Sequence, residues 1–175
     1  MKGKKSRTLQ FALAPLLGGL IAGATVLMTA QSAQAQAAYG SYVGIGAGVG
    51  LSSDDDGDGG GVAALISGRY RFLRIPVSIR AQAFIGDGFA IVPTVSYDYP
   101  LSWNTDIYLG AGVSFTGDDP SVLGDQTAFV LQPGIDYMFP NSRFAAFGNA
   151  VIAFDAFRDD SGTAVSIQGG VGYQF

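Results

Sequence analysis

Four times this chain writes an aromatic, one intervening residue and a second aromatic at the close of an alternating run. The triplets are Tyr70-Arg71-Phe72, Tyr97-Asp98-Tyr99, Tyr137-Met138-Phe139 and Tyr173-Gln174-Phe175. Residues two apart in a strand share a face, so each pair sets two rings on one side. Four strands closing alike predict a girdle of Tyr70, Phe72, Tyr97, Tyr99, Tyr137 and Phe139, joined by the terminal pair, at one level. Such a ring is what a β-barrel carries where it meets a membrane interface.

The runs that lead into these pairs have period two, and no helix-period segment lies between residues 42 and 175. About eight are present, separated by turn chemistry. The first sets Val43, Ile45, Ala47, Val49 and Leu51 against Tyr42 and four glycines; the fifth sets Ile107, Leu109, Ala111, Val113 and Phe115 against Asp106, Tyr108, Gly110 and Gly112. The seventh, Arg143 to Phe154, is ambiguous in phase, and Phe144, Ala150, Ile152 and Phe154 are placed together, opposite Asn149. Pro93 and Pro133 each stand seven residues before a turn proline, Pro100 or Pro140, which marks a weak internal repeat. A proline removes a ladder donor, so bulges or early strand starts are expected at Pro93 and Pro133.

The connections alternate in kind. Leu73 to Pro76, Pro100 to Asn104 and Pro140 to Ser142 are short and contain proline. Ser52 to Gly61, Gly86 to Gly88, Thr116 to Asp125 and Asp155 to Gly162 hold eleven of the fourteen aspartates. Connections of an up-and-down barrel emerge alternately at its two ends, so one end is predicted to be short and proline-capped, the other looped and acidic.

The first thirty-five residues read as targeting. Lys2, Lys4, Lys5 and Arg7 precede an apolar run from Phe11 to Met28, and Ala33-Gln34-Ala35 offers a small-residue cleavage site. A retained membrane anchor is the alternative, but glycines and Pro15 interrupt the run. Cleavage after Ala35 leaves residues 36–175 as one domain, with six arginines against fourteen aspartates and a formal net charge of −8. That balance disfavours nucleic acid, which needs a cationic footprint, and suits a surface that repels anions or gathers divalent cations. There is no cysteine, so disulfides and thiolate metal sites are excluded.

Alternation alone does not say which face meets lipid. The apolar parity carries no charge in any run, and the other parity holds Gly, Ser, Gln, Asp and Arg without Lys or Glu. Small glycines suit the inside of an eight-stranded barrel, whose bore is just filled by side chains. The expected fold is therefore an all-β, eight-stranded antiparallel up-and-down transmembrane β-barrel with its apolar set outward.

The ending Gln168-Gly169-Gly170-Val171-Gly172-Tyr173-Gln174-Phe175 resembles the assembly signal of bacterial outer-membrane barrels, with Gln168, Gly170, Tyr173 and Phe175 in its places. Over residues 36–175 the chain resembles the small eight-stranded outer-membrane proteins of the OmpA/OmpX and opacity-protein kind. The resemblance implies a location in the bacterial outer membrane, with outer-membrane lipid and the barrel-assembly machinery as partners. Some relatives continue into a periplasmic cell-wall-binding domain; the chain stops at Phe175, so that anchoring role is not expected.

Six inward charges gather towards the short-turn end: Arg69, Arg71, Arg80, Asp98, Asp106 and Asp136. Unpaired charges in a narrow barrel are costly, so a mutually paired network closing the bore is expected, against the alternative of a polar constriction or gate. Asp54, Asp56 and Asp58, followed by Gly59, resemble the first half of a calcium loop, but Leu65 stands where a bidentate glutamate is required. A solvated acidic loop is preferred there to weak divalent-cation binding. No cofactor is expected. With no histidine and no cysteine, Ser-His and Cys-His nucleophile pairs are impossible. The expectation is a non-enzymatic surface or envelope-integrity protein. Its alternatives are a narrow passive pore, a reading that rests on the many inward glycines, and a soluble periplasmic binding barrel.

Overall fold

The computed structural model describes residues 40–52, 60–117, 119, 121–158 and 162–175. The proposed signal sequence and the Asp54, Asp56 and Asp58 loop lie outside these residues. The strands are β1 (Tyr42–Gly50), β2 (Gly61–Arg71), β3 (Val77–Ile85), β4 (Phe89–Ser102), β5 (Thr105–Thr116), β6 (Ala128–Met138), β7 (Phe144–Phe154) and β8 (Ala164–Gln174). Each pairs antiparallel with the next, and β8 returns to β1, so the sheet closes without an edge.

The registers fix the stagger of the barrel. Paired residues lead once round the wall from Tyr42 through Arg69, Arg80, Thr94, Gly112, Val130 and Ala153 to Ala164. Ser166 pairs with Gly50, so Ala164 lies level with position 52 and the circuit is offset by ten residues. Ten residues at about 3.3 Å each, across eight strands about 4.8 Å apart, correspond to a strand tilt of roughly 40°.

The apolar parity faces out along every strand. Ile45, Val62, Ile79, Val95, Leu109, Phe129 and Ile167 are all exposed, whereas Ser67, Arg69, Gln82, Thr94, Asp98, Gln132 and Asp136 on the other parity are buried. β7 takes the phase with Phe144 and Phe154 exposed and Asn149 buried. Tyr70–Phe72, Tyr137–Phe139 and Phe144–Tyr173 meet edge to face at 5.4, 5.2 and 5.9 Å between ring centroids. A second aromatic set stands at the loop end: Phe89, Phe115, Phe129 and Phe154 are all exposed, and Phe129 stacks on Phe154.

Two expectations change. Pro93 and Pro133 produce neither a bulge nor an early start. On one side of each, pairing passes from Ile91↔Phe115 to Thr94↔Gly112, or from Leu131↔Ile152 to Gly134↔Asn149, and resumes in the same register. The other neighbour pairs straight through, as Ala81↔Pro93 and Leu109↔Pro133. In an antiparallel strand one residue's N–H and C=O point to the same neighbour, so the proline interrupts only one ladder. The irregularity falls instead between Pro100 and Ser102, because β4 runs past Pro100 to Ser102 before turning.

The interior is also less polar than the alternation implies. Near the loop end the inward positions are Ala63, Leu65, Phe84, Ala90, Val92, Val130, Val151 and Ala153, all buried. They form one apolar cluster with Val122, Leu123, Ala156 and Phe157 from the β5–β6 and β7–β8 connections.

Candidate functional site

The short-turn half of the bore is built from parity and register. Asp98 on β4, Asp106 on β5 and Asp136 on β6 face Arg69 and Arg71 on β2 and Arg80 on β3. Arg69 Nη2 lies 2.9 Å from both Asp98 Oδ2 and Asp106 Oδ2. Its Nη1 is 3.0 Å from Asp136 Oδ2 but off the line of a hydrogen bond. Arg80 Nη2 reaches Asp136 Oδ2 at 2.7 Å and Asp98 Oδ1 at 3.2 Å. Arg71 Nη1 donates to Asp106 Oδ2 at 2.6 Å. Three cations thus meet three carboxylates, and the cluster carries no formal net charge.

Hydroxyls complete the set. Arg80 Nε donates to Ser96 at 2.9 Å and Arg69 Nε to Ser78 at 3.2 Å. Ser96 and Ser78 in turn donate to the two oxygens of Asp98. The Tyr42 hydroxyl donates to Asp136 Oδ1 at 2.8 Å. Arg80 Cζ stands 3.3 Å from the centroid of the Tyr108 ring, a desolvated cation–π contact. Each of the three carboxylates thus accepts from at least two donors, and Arg69 Nη1 is the one buried polar atom of the cluster left without a hydrogen bond among the described residues.

The inward glycines are room for rings. A Cβ on Gly134 would lie 2.4 Å from Tyr108 Cζ, and one on Gly172 would lie 2.6 Å from Tyr42 Cδ2. Phe147 occupies the space over Gly44 and Gly170, at 2.8 and 2.6 Å from the Cβ each lacks, and stacks on Tyr42 at 5.5 Å. On sequence alone these glycines suggest an open lining; the signal against it is the matching set of inward Tyr42, Tyr108 and Phe147.

Above the charges lies an amide layer. Thr94 Oγ1 donates to Gln132 Oε1 at 2.6 Å, and Gln132 Nε2 donates to Gln82 Oε1 at 2.9 Å and Asn149 Oδ1 at 3.1 Å. Gln168 Nε2 donates to Asn149 Oδ1 at 2.5 Å. Both glutamines choose the Asn149 oxygen, which leaves its Nδ2 without a partner among the described residues.

At the loop end a clasp joins the β5–β6 and β7–β8 connections. Gln126 Nε2 donates to the carbonyls of Asp155 (2.7 Å) and Phe157 (2.9 Å), and the Asp125 N–H to that of Ala156 (3.1 Å). Leu123 is wholly buried beneath this clasp. Gly124, with φ of +93°, makes the turn that seats it; a Cβ there would lie 2.2 Å from the Ala156 carbonyl oxygen.

Of the residues read as an assembly signal, Gln168 joins the amide layer, Gly170 lies against Phe147, and Tyr173 and Phe175 face outward. Tyr70, Phe72, Tyr97, Tyr99, Tyr137 and Phe139 are all exposed on the outer wall at the short-turn end.

A closed antiparallel wall of eight strands with an apolar exterior and a packed interior, polar towards the short turns, defines an eight-stranded transmembrane β-barrel. The chain has the fold of the small outer-membrane barrels. Neisserial surface protein A superposes with a TM-score of 0.55 at 19% identity over 78% of this chain and 97% of that one. A de novo designed transmembrane β-barrel superposes with a TM-score of 0.54 at 12% identity over 78% and 96%. The outer-membrane protein Ail of Yersinia pestis gives 0.48 at 16% over 77% and 99%. No protein-family model and no curated protein matches the chain.

Proposed function

We propose that the protein is a non-enzymatic barrel of a bacterial outer membrane, exported by a signal sequence over residues 1–35, with its acidic loops outside and its short turns in the periplasm. The likeness to outer-membrane barrels supports the location. The observation that carries the functional part is the filled bore: ion cluster, amide layer and apolar layer follow one another from the short turns to the clasp. An interior used for packing leaves the outer wall and the loops to do the work. The protein acts as a surface or envelope-integrity element whose loops present carboxylates to ions, headgroups or neighbouring surfaces, while the wall binds lipid.

The same packing weighs against a narrow passive pore, and the exposed apolar wall weighs against a soluble periplasmic carrier. The absence of histidine and cysteine from the sequence supports a non-enzymatic role. Fractionation of cells expressing the full chain, followed by external protease, tests the assignment. The account expects the protein in the outer-membrane fraction, with cleavage confined to the long connections. Recovery in the soluble periplasm, or cleavage at Leu73–Pro76 from outside, contradicts it.

A further inference from the structure

Among the described residues the loop end exposes Asp87, Asp119 and Asp155 beside Arg158, whereas the short-turn end exposes no aspartate. Asp98, Asp106 and Asp136 are the aspartates of the short-turn half, and all three are buried. What that end exposes is cationic: Arg74, Arg143 and part of Arg71, whose side chain is 22% exposed. Between the first two short turns lies a depression of about 220 Å³, lined by Arg71, Phe72, Leu73, Arg74, Ile75 and Pro100 among others. Arg71 spends Nη1 on Asp106, and Arg74 has no ion pair among the described residues. Arg71 and Arg74 thus both line a hollow whose other walls, Phe72, Leu73, Ile75 and Pro100, are apolar and exposed.

We propose that this depression binds the phosphate of an anionic phospholipid headgroup in the periplasmic leaflet, an inference that rests on the membrane location proposed above. Guanidinium groups match phosphate oxygens in charge and geometry, and basic pockets at a membrane boundary select such headgroups. Position argues for a lipid over a free anion. Phe72 belongs to the aromatic girdle, Pro100 follows girdle Tyr99 directly, and Leu73 and Ile75 offer cover for glycerol and the first acyl carbons. The volume lies below the ~300–1,000 Å³ of pockets that engulf a whole small molecule, which suits a headgroup whose chains remain in the bilayer.

Trp103, the only tryptophan in the sequence, is 95% exposed in the turn that follows Pro100. It is the fluorescent reporter for lipid around the second short turn, whose Pro100 lines the depression. The chain from residue 36 is refolded into mixed phosphatidylcholine–phosphatidylglycerol vesicles in which one lipid or the other carries brominated chains, and Trp103 quenching gives the relative occupancy. Insertion is checked separately by resistance of the folded band to detergent at room temperature, so failure of the location and failure of the site are distinguishable. The expected result is preference for phosphatidylglycerol of about fivefold, the scale of one arginine near an anionic surface. Arg74→Gln should abolish most of it, and Arg143→Gln, on the β6–β7 turn across the barrel, should leave it. Equal quenching by both lipids in inserted protein overturns the proposal. So does equal loss in both variants, which would mean diffuse charge, or relief by excess inorganic phosphate at constant ionic strength, which would mean a free-anion site.

Discussion

Asp136 accepts from Tyr42 and Arg80 and lies 3.0 Å from Arg69, with its side chain wholly buried. Removing it leaves two cations in the bore with one carboxylate fewer. Breaking a buried pair in this way costs about 3–5 kcal/mol, so Asp136→Ala should unfold at distinctly lower urea in lipid vesicles. Asp106→Ala should cost less, because Arg71, 22% exposed, can be re-solvated and its other partner, buried Arg69, keeps Asp98 and Asp136. The glycines allow a second comparison at this scale. Gly134→Ala drives a methyl into the Tyr108 ring and should cost about 1–3 kcal/mol by overpacking. Gly68→Ala, with nothing within 4 Å of the added Cβ, should be close to neutral in the same urea titration.

At the scale of elements, the clasp and the last strand make separate predictions. Gln126→Ala removes its two side-chain hydrogen bonds to the β7–β8 connection, each worth about 1 kcal/mol, and leaves the backbone ones. External protease should then cut the β5–β6 connection faster while the barrel band stays intact. Deleting Phe175 should lower the fraction of protein assembled in cells, read as the heat-modifiable band; normal assembly without it would dismiss the resemblance to an assembly signal. Legibility also belongs to this scale. The outward parity could be read because Ile45, Ile79 and Leu109 alternate with small or polar residues. The inward apolar layer could not, because Ala63-Ala64-Leu65-Ile66, Ala90-Ile91-Val92 and Phe129-Val130-Leu131 are apolar on both parities and the period vanishes. The six bore charges were legible as inward, but their pairing depends on cross-strand register and on the ten-residue stagger. The ladder at Pro93 depends on which neighbour its missing donor would have faced, which no local pattern states.

The molecule as a whole sorts its chemistry along one axis. From Phe129 to Phe139 is ten residues, which at about 3.3 Å per residue and a tilt near 40° gives an apolar band roughly 25 Å tall, the height a lipid core requires of a barrel. Tyrosines and Trp103 mark its short-turn border and phenylalanines its loop border. Beyond the phenylalanines the described residues include Asp87, Asp119, Asp125 and Asp155; beyond the tyrosines they include exposed Arg74 and Arg143. Under the proposed location this polarity sets the long loops outside, and the filled interior is proposed not to conduct. The direct test is the current through single inserted barrels in a planar bilayer at neutral pH, with insertion verified by the folded band and with calcium absent or present. The account predicts silence under both conditions. Discrete, reproducible conductance steps from the wild-type chain would contradict it, because ions would then be passing a bore that the Arg69–Arg80–Asp98–Asp136 cluster and the amide layer are held to close.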